Sequence, residues 1–229
     1  MLILSNPHNP GGSVWNKDEL TALADICNRH HILVVSDEIH ADLTLNGHQH
    51  LPFAAVSETA AQNSITFCAP SKTFNIAGIV ASYAIIKNKE ISAQFFHFLK
   101  INELDSGTIF AYTALQTAYE CGEDWLDELK KYLWDNVLFV DNYLKKNIPQ
   151  IKAILPEASF LLWLDCRNLA LSQEKLVDLF VNKARLALND GAMFGKEGIG
   201  FMRMNIGCPR SVLAQALQQL KEAVTADEN

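Results

Sequence analysis

The stretch ILVVSDEIH, residues 32–40, decides the fold class of this chain. Its first five residues form a continuous apolar and largely β-branched run that ends at Ser36, which is typical of a parallel strand covered on both faces. An acidic residue, Asp37, follows directly. Because ligands bind beyond the carboxyl ends of parallel strands in open α/β sheets, this stretch predicts a place for chemistry as well as a strand.

Further strands and helices alternate on either side of this stretch. Residues 2–5, 64–69 and 82–86 show the same strand pattern. Between the first two strands, Asn16 is a predicted N-cap with Glu19 at the third helical position, and a helix of about four turns follows. Strands separated by helices in this way indicate a layered α/β domain.

The pattern changes in the second half of the chain. Residues 89–146 are helical in character, with breaks near residues 105–107 and at Gly122. After Pro149 an α+β pattern follows, with predicted strands at 151–155, 160–165 and 201–206 and predicted helices at 172–188 and 209–224. We therefore predict two domains, residues 1–147 and residues 148–229.

Composition excludes several classes of function. The chain has 229 residues, 49% of them hydrophobic, and a net charge of −7 without basic runs, which argues against nucleic acid and anionic membranes as partners. No signal peptide and no apolar stretch of membrane-spanning length is expected. The five scattered cysteines favour a reducing cytoplasm. His48 and His50 with Asp42 could form a metal cluster, but we interpret residues 46–50 as a polar loop and predict no metal site.

Three motifs each follow a predicted strand: NPHNPGG at residues 6–12, SDEIH at 36–40 and SKTFNIAG at 71–78. Each is weak alone, because Asn-Pro pairs usually form turns and a Ser-Lys pair in a loop is usually solvated. Together with GKEGIGFMRMNIGCPR at residues 195–210, they resemble the fold-type I pyridoxal-phosphate (PLP) enzymes of the aspartate aminotransferase superfamily. The MalY/PatB branch of cystathionine β-lyases is the most similar, over essentially the whole chain. The resemblance implies a three-layer α/β/α PLP-binding domain, present in part, and a small α+β C-terminal domain.

The resemblance also implies a role for each of five residues towards PLP. Lys72 would bond covalently to the cofactor aldehyde and later remove the Cα proton of the substrate. Asp37 would keep the pyridine nitrogen protonated, and Asn9 would donate to the phenolic oxygen. His40 stands where relatives often carry a tyrosine for that same oxygen, and Ser71 is a candidate phosphate ligand.

On the substrate side, the resemblance assigns Arg203 to the α-carboxylate, which a planar guanidinium suits well. Arg210, at a helix start, is interpreted as structural. Val80 is a departure, because many aminotransferases have a phosphate-binding arginine at that position, eight residues after the lysine. The phosphate loop and the ring-stacking aromatic residue, which the family carries upstream of Asn6, are also absent. We therefore expect an N-terminally truncated member with half of a cofactor site, exposed apolar sheet surface and poor solubility.

Three functions remain open from the sequence. The first is a cytoplasmic, homodimeric PLP-dependent carbon–sulfur β-lyase that converts cystathionine or another cysteine S-conjugate to pyruvate, ammonia and a thiol. The second is an aminotransferase on the same scaffold, because both reactions would use the same lysine and aspartate. The third is a non-catalytic remnant that lacks the phosphate-binding half of the site.

Overall fold

Four strands from the first half of the chain form one sheet in the computed structural model, which describes residues 1–227. Their order across the sheet follows the sequence: β1 (Leu2–Ser5), β2 (Val34–Asp37), β3 (Ser64–Cys68) and β4 (Tyr83–Ile85). The first three strands are parallel, and β4 is antiparallel to β3. The predicted strands and the α/β class are confirmed, whereas the reversed direction of β4 was not predicted.

The helices of this half lie between and after those strands. The capping box at Asn16 and Glu19 is present, with each side chain bonded to the backbone N–H of the other residue. It satisfies two of the amides that a helix start leaves unpaired, and so it fixes the first turn. The helices are α1 (Lys17–Arg29), α2 (Glu58–Gln62), α3 (Pro70–Thr73), α4 (Lys89–Ile101), α5 (Ile109–Cys121) and α6 (Glu123–Asn147).

Both faces of this sheet are in contact with helices. On one face, Leu4 and Val34 pack with Leu20 of α1 and with Phe53 in a buried apolar cluster. On the other face, the ring of Phe67 meets Phe95 of α4 edge to face, with ring centroids 5.7 Å apart. The side chains that alternate along β2 therefore point into two different environments.

Helices α4 and α5 bury far less than α1 does. Ala111 is the one buried residue described in the two helices. Large apolar side chains between residues 96 and 112 are 48–75% exposed: Phe96, Phe98, Ile101, Leu104, Ile109, Phe110 and Tyr112. Contiguous exposed apolar surface of this kind favours association, and the poor solubility expected from the sequence stays a prediction.

The second half forms an antiparallel sheet in the order β5-β6-β8-β7. Its strands are β5 (Lys152–Ile154), β6 (Leu161–Asp165), β7 (Asn189–Asp190) and β8 (Phe201–Asn205), and its helices are α7 (Gln173–Asp178) and α8 (Arg210–Asp227). Fully or nearly fully buried core residues come from α6, β6, β8 and α8, among them Val137, Leu162, Met202 and Leu217.

The helix predicted over residues 172–188 is shorter in the structure. Ser172 caps it as expected, by accepting a hydrogen bond from the backbone N–H of Lys175. The α-helix ends at Asp178, a π-helical turn covers Leu179–Lys183, and Arg185 adopts a left-handed backbone with φ of 57°. An L-residue in that region does not continue a right-handed helix.

Contacts divide the chain into two units. The first comprises Met1–His8 and Ser13–Leu129, and the second comprises Asn9–Gly12 and the residues from Lys130 onward. The short motif at residues 6–12 is thus shared between them. The domain boundary predicted at residues 147/148 stays a prediction. None of the helices within residues 1–227 combines the length and the apolar composition needed to cross a bilayer.

Candidate active site

Asp37 and Lys72 lie after neighbouring parallel strands of the first unit. Asp37 is the last residue of β2, in register with Ser5 of β1 and Phe67 of β3. Its Oδ1 accepts a hydrogen bond from the backbone N–H of Ile39 at 3.2 Å, and the residue is half-buried. Lys72 lies in α3, which begins directly after β3 and Ala69. The structure thus brings both residues to the carboxyl edge of the sheet, where α/β folds bind ligands.

The side chains of Ser71 and Lys72 have no hydrogen-bond or ion-pair partner within residues 1–227, and both residues are half-buried. Their backbone, in contrast, is fixed. The next residue, Thr73, is fully buried, and its Oγ1 donates to Asp42 Oδ2 at 3.0 Å. Phe74 then stacks on Trp125 with ring centroids 5.9 Å apart. Lys72 thus combines a fixed backbone with an amine that has no partner in the described residues, which suits a lysine that must react with a ligand.

Cys68, the last residue of β3, is a half-buried thiol close to this edge. Burial, with the carboxylate of Glu38 as a second cause, raises the pKa of Cys68 to about 11. The thiol is therefore protonated at neutral pH and a poor nucleophile.

Glu38 is a buried residue of the SDEIH motif to which the sequence reasoning gave no role. It is 2% exposed, and its Oε1 accepts hydrogen bonds from Ser36 Oγ at 2.8 Å and from the backbone N–H of Phe53 at 3.0 Å. Its Oε2 is 2.7 Å from His50 Nε2. A carboxylate that binds three groups from different segments ties the turn after Asp37 to the loop that follows. The sequence does contain one sign of this role, because Glu38 is an acidic residue directly after a buried strand.

The polar loop predicted at residues 46–50 is present, with residues 46–49 exposed, but the side chain of His50 at its end is buried. This side chain is 7% exposed and is paired with Glu38. The physical reason is that Glu38 supplies a buried anionic acceptor that the local pattern of residues 46–50 does not reveal. Within residues 1–227 there is no group of three or more His, Cys, Asp or Glu residues arranged to hold a metal ion.

His40, in the same motif, is 3% exposed and directly precedes a short 3₁₀ turn, Ala41–Leu43. Its backbone oxygen accepts a hydrogen bond from Leu43 N at 3.0 Å. The role predicted for its side chain towards the phenolic oxygen of PLP stays a prediction.

In the second unit, Asn9 and Arg203 are directly bonded. Arg203 Nη1 donates to Asn9 Oδ1, and Nη2 donates to Asn189 Oδ1, each at 2.7 Å. Asn189 lies opposite Arg203 in the β7–β8 register, so the sheet itself sets this contact. Because Arg203 binds the amide oxygen of Asn9, the other end of the amide, Nδ2, remains as a free donor. A free amide N–H₂ is the group that the role expected for Asn9 requires.

Gly12 holds the Asn9 loop in the second unit. Its φ is +72°, and a Cβ built there would lie 2.5 Å from the Cβ of Pro156. Its carbonyl oxygen accepts hydrogen bonds from the backbone N–H groups of Glu157, at 2.9 Å, and Ala158, at 3.0 Å. Only glycine combines this left-handed conformation with so close an approach.

The guanidinium of Arg203 has no counter-charge. Both of its partners are neutral amide oxygens, and no carboxylate of residues 1–227 lies within ion-pair distance. Its Nε is buried without a hydrogen-bond partner, and burial lowers the pKa of Arg203 below its usual value. A desolvated cation without an anion is a receptor for a carboxylate.

Within the first unit, Asp37 is an anionic acceptor suited to a pyridinium N–H, and Lys72 is a free amine suited to an aldehyde. Within the second unit, Asn9 Nδ2 is a free donor suited to a phenolic oxygen. For the phosphate, the hydroxyl of Ser71 is the group expected from the sequence. Val80 adds nothing to it, because its side chain is aliphatic and 82% exposed.

Comparisons with known proteins found relatives that are similar over almost the whole chain. The chain is 42% identical over 225 residues to cystathionine beta-lyase PatB of Bacillus subtilis and 35% identical over 227 residues to protein MalY of Escherichia coli, with 98% and 99% of this chain covered. These alignments span 58% and 57% of the two relatives, so the chain spans less than two thirds of their length.

Two solved structures are also similar. A PLP-bound putative aminotransferase from Clostridium difficile has a TM-score of 0.95 and 42% identity, covering 97% of this chain and 58% of that protein. Cystalysin from Treponema denticola, which contains a pyridoxal 5′-phosphate cofactor, has a TM-score of 0.93 and 38% identity, covering 98% and 57%. The family model for aminotransferase class I and II matches residues 1–220, and the chain belongs to that family.

Proposed function

We propose that this chain acts in a PLP-dependent carbon–sulfur β-lyase that cleaves cystathionine or another cysteine S-conjugate. The observation that carries the proposal is the 42% identity to a cystathionine β-lyase across 98% of the chain. Lys72, Asp37 and Arg203 support PLP chemistry on an amino acid, but lyases and aminotransferases would share them. Overall sequence similarity therefore favours the lyase.

Bound PLP supplies an electron sink for the pair of electrons left at Cα when its proton is removed. Lys72 is the base in this proposal, since its amine has no partner within residues 1–227 and can hold the Cα proton. Asp37 accepts a hydrogen bond from the pyridine N–H and so keeps that proton on the ring. Asn9 donates from Nδ2 to the phenolic oxygen while Arg203 holds its carbonyl oxygen.

Arg203 binds the α-carboxylate and orients the substrate. The reaction consumes one cysteine S-conjugate and one water, and it yields one thiol, one ammonia and one pyruvate. The bond broken is Cβ–S, the sulfur leaves as a thiolate, and the Cα proton is the one that the base must hold.

The test is product analysis with the purified 229-residue chain, PLP and L-cystathionine, without any oxo acid. We expect pyruvate and a free thiol in equal amounts. Lys72→Ala should abolish both the products and the PLP-dependent absorbance band, whereas Lys100→Ala, at an exposed site on α4, should leave both unchanged. The lyase proposal is wrong if turnover depends strictly on 2-oxoglutarate or another acceptor.

Aminotransfer is the second candidate, supported by the similarity to the putative aminotransferase of Clostridium difficile. Acceptor-dependent formation of a new amino acid in the same assay would support it. If the chain forms no Lys72-dependent complex with PLP, the non-catalytic alternative holds for this chain.

Homodimerisation and a cytoplasmic location belong to the same proposal. The exposed apolar side chains of α4 and α5 support association, and all five cysteines are free, as a reducing compartment requires. Light scattering of the purified chain tests the dimer, because a monomer at micromolar concentration would contradict it.

A further inference from the structure

The turn between β7 and β8 carries an aromatic ring onto Arg203. The ring of Phe194 lies 4.9 Å from the guanidinium carbon of Arg203, within the range of a cation–π contact. Phe194 also meets Trp163 edge to face at 5.7 Å, and Trp163 in turn stacks on Phe201 at 5.2 Å with an interplanar angle of 7°. Phe194 therefore contacts both the guanidinium of Arg203 and the ring of Trp163.

The backbone of this turn is tightly closed. A Cβ at Gly191 would lie 2.2 Å from the carbonyl oxygen of Gly198, and a Cβ at Gly198 would lie 2.0 Å from the oxygen of Gly191. Two glycines are needed for the backbone to cross itself so closely. The crossing fixes where the turn can place Phe194, which lies between them.

Three contacts thus define the plane of one guanidinium: the amide oxygens of Asn9 and Asn189, and the ring of Phe194 on its face. These contacts use two of its five N–H donors and supply no negative charge. Arginine loses much of its rotational freedom here before any ligand is bound, which lowers the entropy cost of binding one.

We propose that Phe194 is a positioning residue for Arg203. Its ring holds the guanidinium in the orientation that binds a carboxylate, and an uncharged analogue of the carboxylate is not bound in this way. This deepens the proposed function, on which it rests for the identity of the ligand as an amino-acid α-carboxylate. Replacement of the ring by leucine keeps an apolar side chain but removes the π face. Carboxylate binding should weaken about 3- to 30-fold, the range for a partly desolvated cation–π contact.

The experiment uses the full chain labelled with ¹⁵N and follows the Nε–H signal of Arg203, assigned by its loss in Arg203→Lys. In the wild type, the ring of Phe194 should displace this signal, and titration with acetate should shift it further while acetamide should not. Phe194→Leu should abolish the ring displacement and weaken acetate binding. Phe194→Tyr, which retains the π face, should restore both.

Met193→Leu is the matched control, since Met193 is the preceding residue of the same turn and is 72% exposed. It should behave as the wild type. With PLP and cystathionine, Phe194→Leu should raise KM by the same 3- to 30-fold factor and leave kcat within about twofold, because a positioning residue for a binding group acts on both ground and transition states.

The inference is overturned by equal acetate affinity in Phe194→Leu and the wild type, by equal binding of acetate and acetamide, or by no saturable acetate binding to the wild type. The wild-type and Phe194→Tyr spectra keep it testable if the leucine variant does not fold. The acetate titration needs neither PLP nor turnover. Failure of Lys72-dependent PLP binding therefore contradicts the proposed function and leaves this inference standing.

Discussion

Three arginines of the second unit contact an aromatic ring, and they differ in what surrounds the charge. Arg167 lies 4.9 Å from Phe201, Arg203 lies 4.9 Å from Phe194 and Arg210 lies 4.6 Å from Phe139. The ring contact is thus nearly constant among them. What separates the three is the partner of each guanidinium and its access to water.

Arg167 is an exposed residue that forms a two-point pair with the carboxylate of Asp165, with Nε–Oδ1 2.9 Å and Nη2–Oδ2 2.7 Å. Arg210 donates from Nε to Asn136 Oδ1 at 2.7 Å. Arg203 has neutral partners, a buried Nε without one, and a pKa lowered by burial. Arg210 shares with Arg203 a neutral amide partner, so the feature that singles out Arg203 is its buried, unpartnered Nε, which makes it the strongest candidate of the three for binding an anion.

The largest effect is expected from Arg203→Gln. This variant removes the cation that would pair with the carboxylate of the ligand. We expect the affinity for that carboxylate to fall about 100- to 1,000-fold and KM to rise by the same factor. The free energy of unfolding should stay the same or increase, because the variant removes a buried, uncompensated charge. Arg167→Gln is the control: it makes the same substitution at an arginine that contacts a different ring, Phe201, and it should leave KM unchanged. Equal changes in KM for the two variants would erase the distinction between these arginines.

The next effect is expected from Asn136→Ala, at the partner of Arg210. Asn136 is fully buried, and its Nδ2 donates to the carbonyl oxygens of Ile206 at 2.8 Å and Cys208 at 3.2 Å. Alanine removes both hydrogen bonds and leaves the Ile206 oxygen without this donor, whereas the Cys208 oxygen keeps the Tyr132 hydroxyl at 3.3 Å. The free energy of unfolding should therefore fall by about 1–3 kcal/mol in urea titrations.

Asn142→Ala, at an exposed position of the same helix, is the control and should change the free energy of unfolding by less than about 0.5 kcal/mol. Carboxylate binding by the folded fraction of Asn136→Ala should remain. Loss of binding without loss of stability would assign Arg210 to the ligand instead of to the fold.

The smallest effect concerns the pair of Asp165 and Arg167, and it depends on pH. The hydrogen bond from Arg167 lowers the pKa of Asp165 in the folded state. A carboxyl group with a lowered folded pKa adds stability above its unfolded value, and that stability is lost as the pH falls through the folded pKa. Asp165→Asn should therefore lower the urea midpoint slightly at pH 7, and the difference from the wild type should vanish in acid.

Urea midpoints at pH 7, 5 and 3 measure this difference, with Asp135→Asn, at an exposed position of α6, as the control for a lost surface charge. The effect is small because the side chain of Arg167 is 64% exposed, so that water screens the pair. A difference that persists unchanged at pH 3 would mean that the carboxylate charge is not its source.

Local sequence rules predicted the elements that depend on neighbouring residues. The capping box at Asn16 and Glu19 needs only a three-residue spacing, and the run that ends at Ser36 needs only its own composition. The early end of the α-helix at Asp178 and the left-handed backbone at Arg185 were missed, because a left-handed residue other than glycine has no sequence signal of comparable strength.

The site was predicted less completely, for a related reason. Asp37 and Lys72 follow strands, so the pattern of the chain locates them at the sheet edge. Asn189 and Phe194 were missed as partners of Arg203 because only the antiparallel register of β7 and β8 and the closed turn bring them there. Contacts of this kind follow from tertiary structure, which single-sequence patterns do not encode.

The Asn9–Gly12 loop has a consequence for how this molecule folds. Asn9 and Arg203 are 194 positions apart in the chain, and Gly12 binds the backbone at Glu157 and Ala158. During synthesis, residues 9–12 are made long before their partners, which are Glu157 and Ala158 for Gly12 and Arg203, in the last strand, for Asn9. Closing so long a segment costs entropy and slows folding. The contact between Asn9 and Arg203 is therefore among the last to form, and a fragment made of the C-terminal residues alone would leave Arg203 with one amide instead of two.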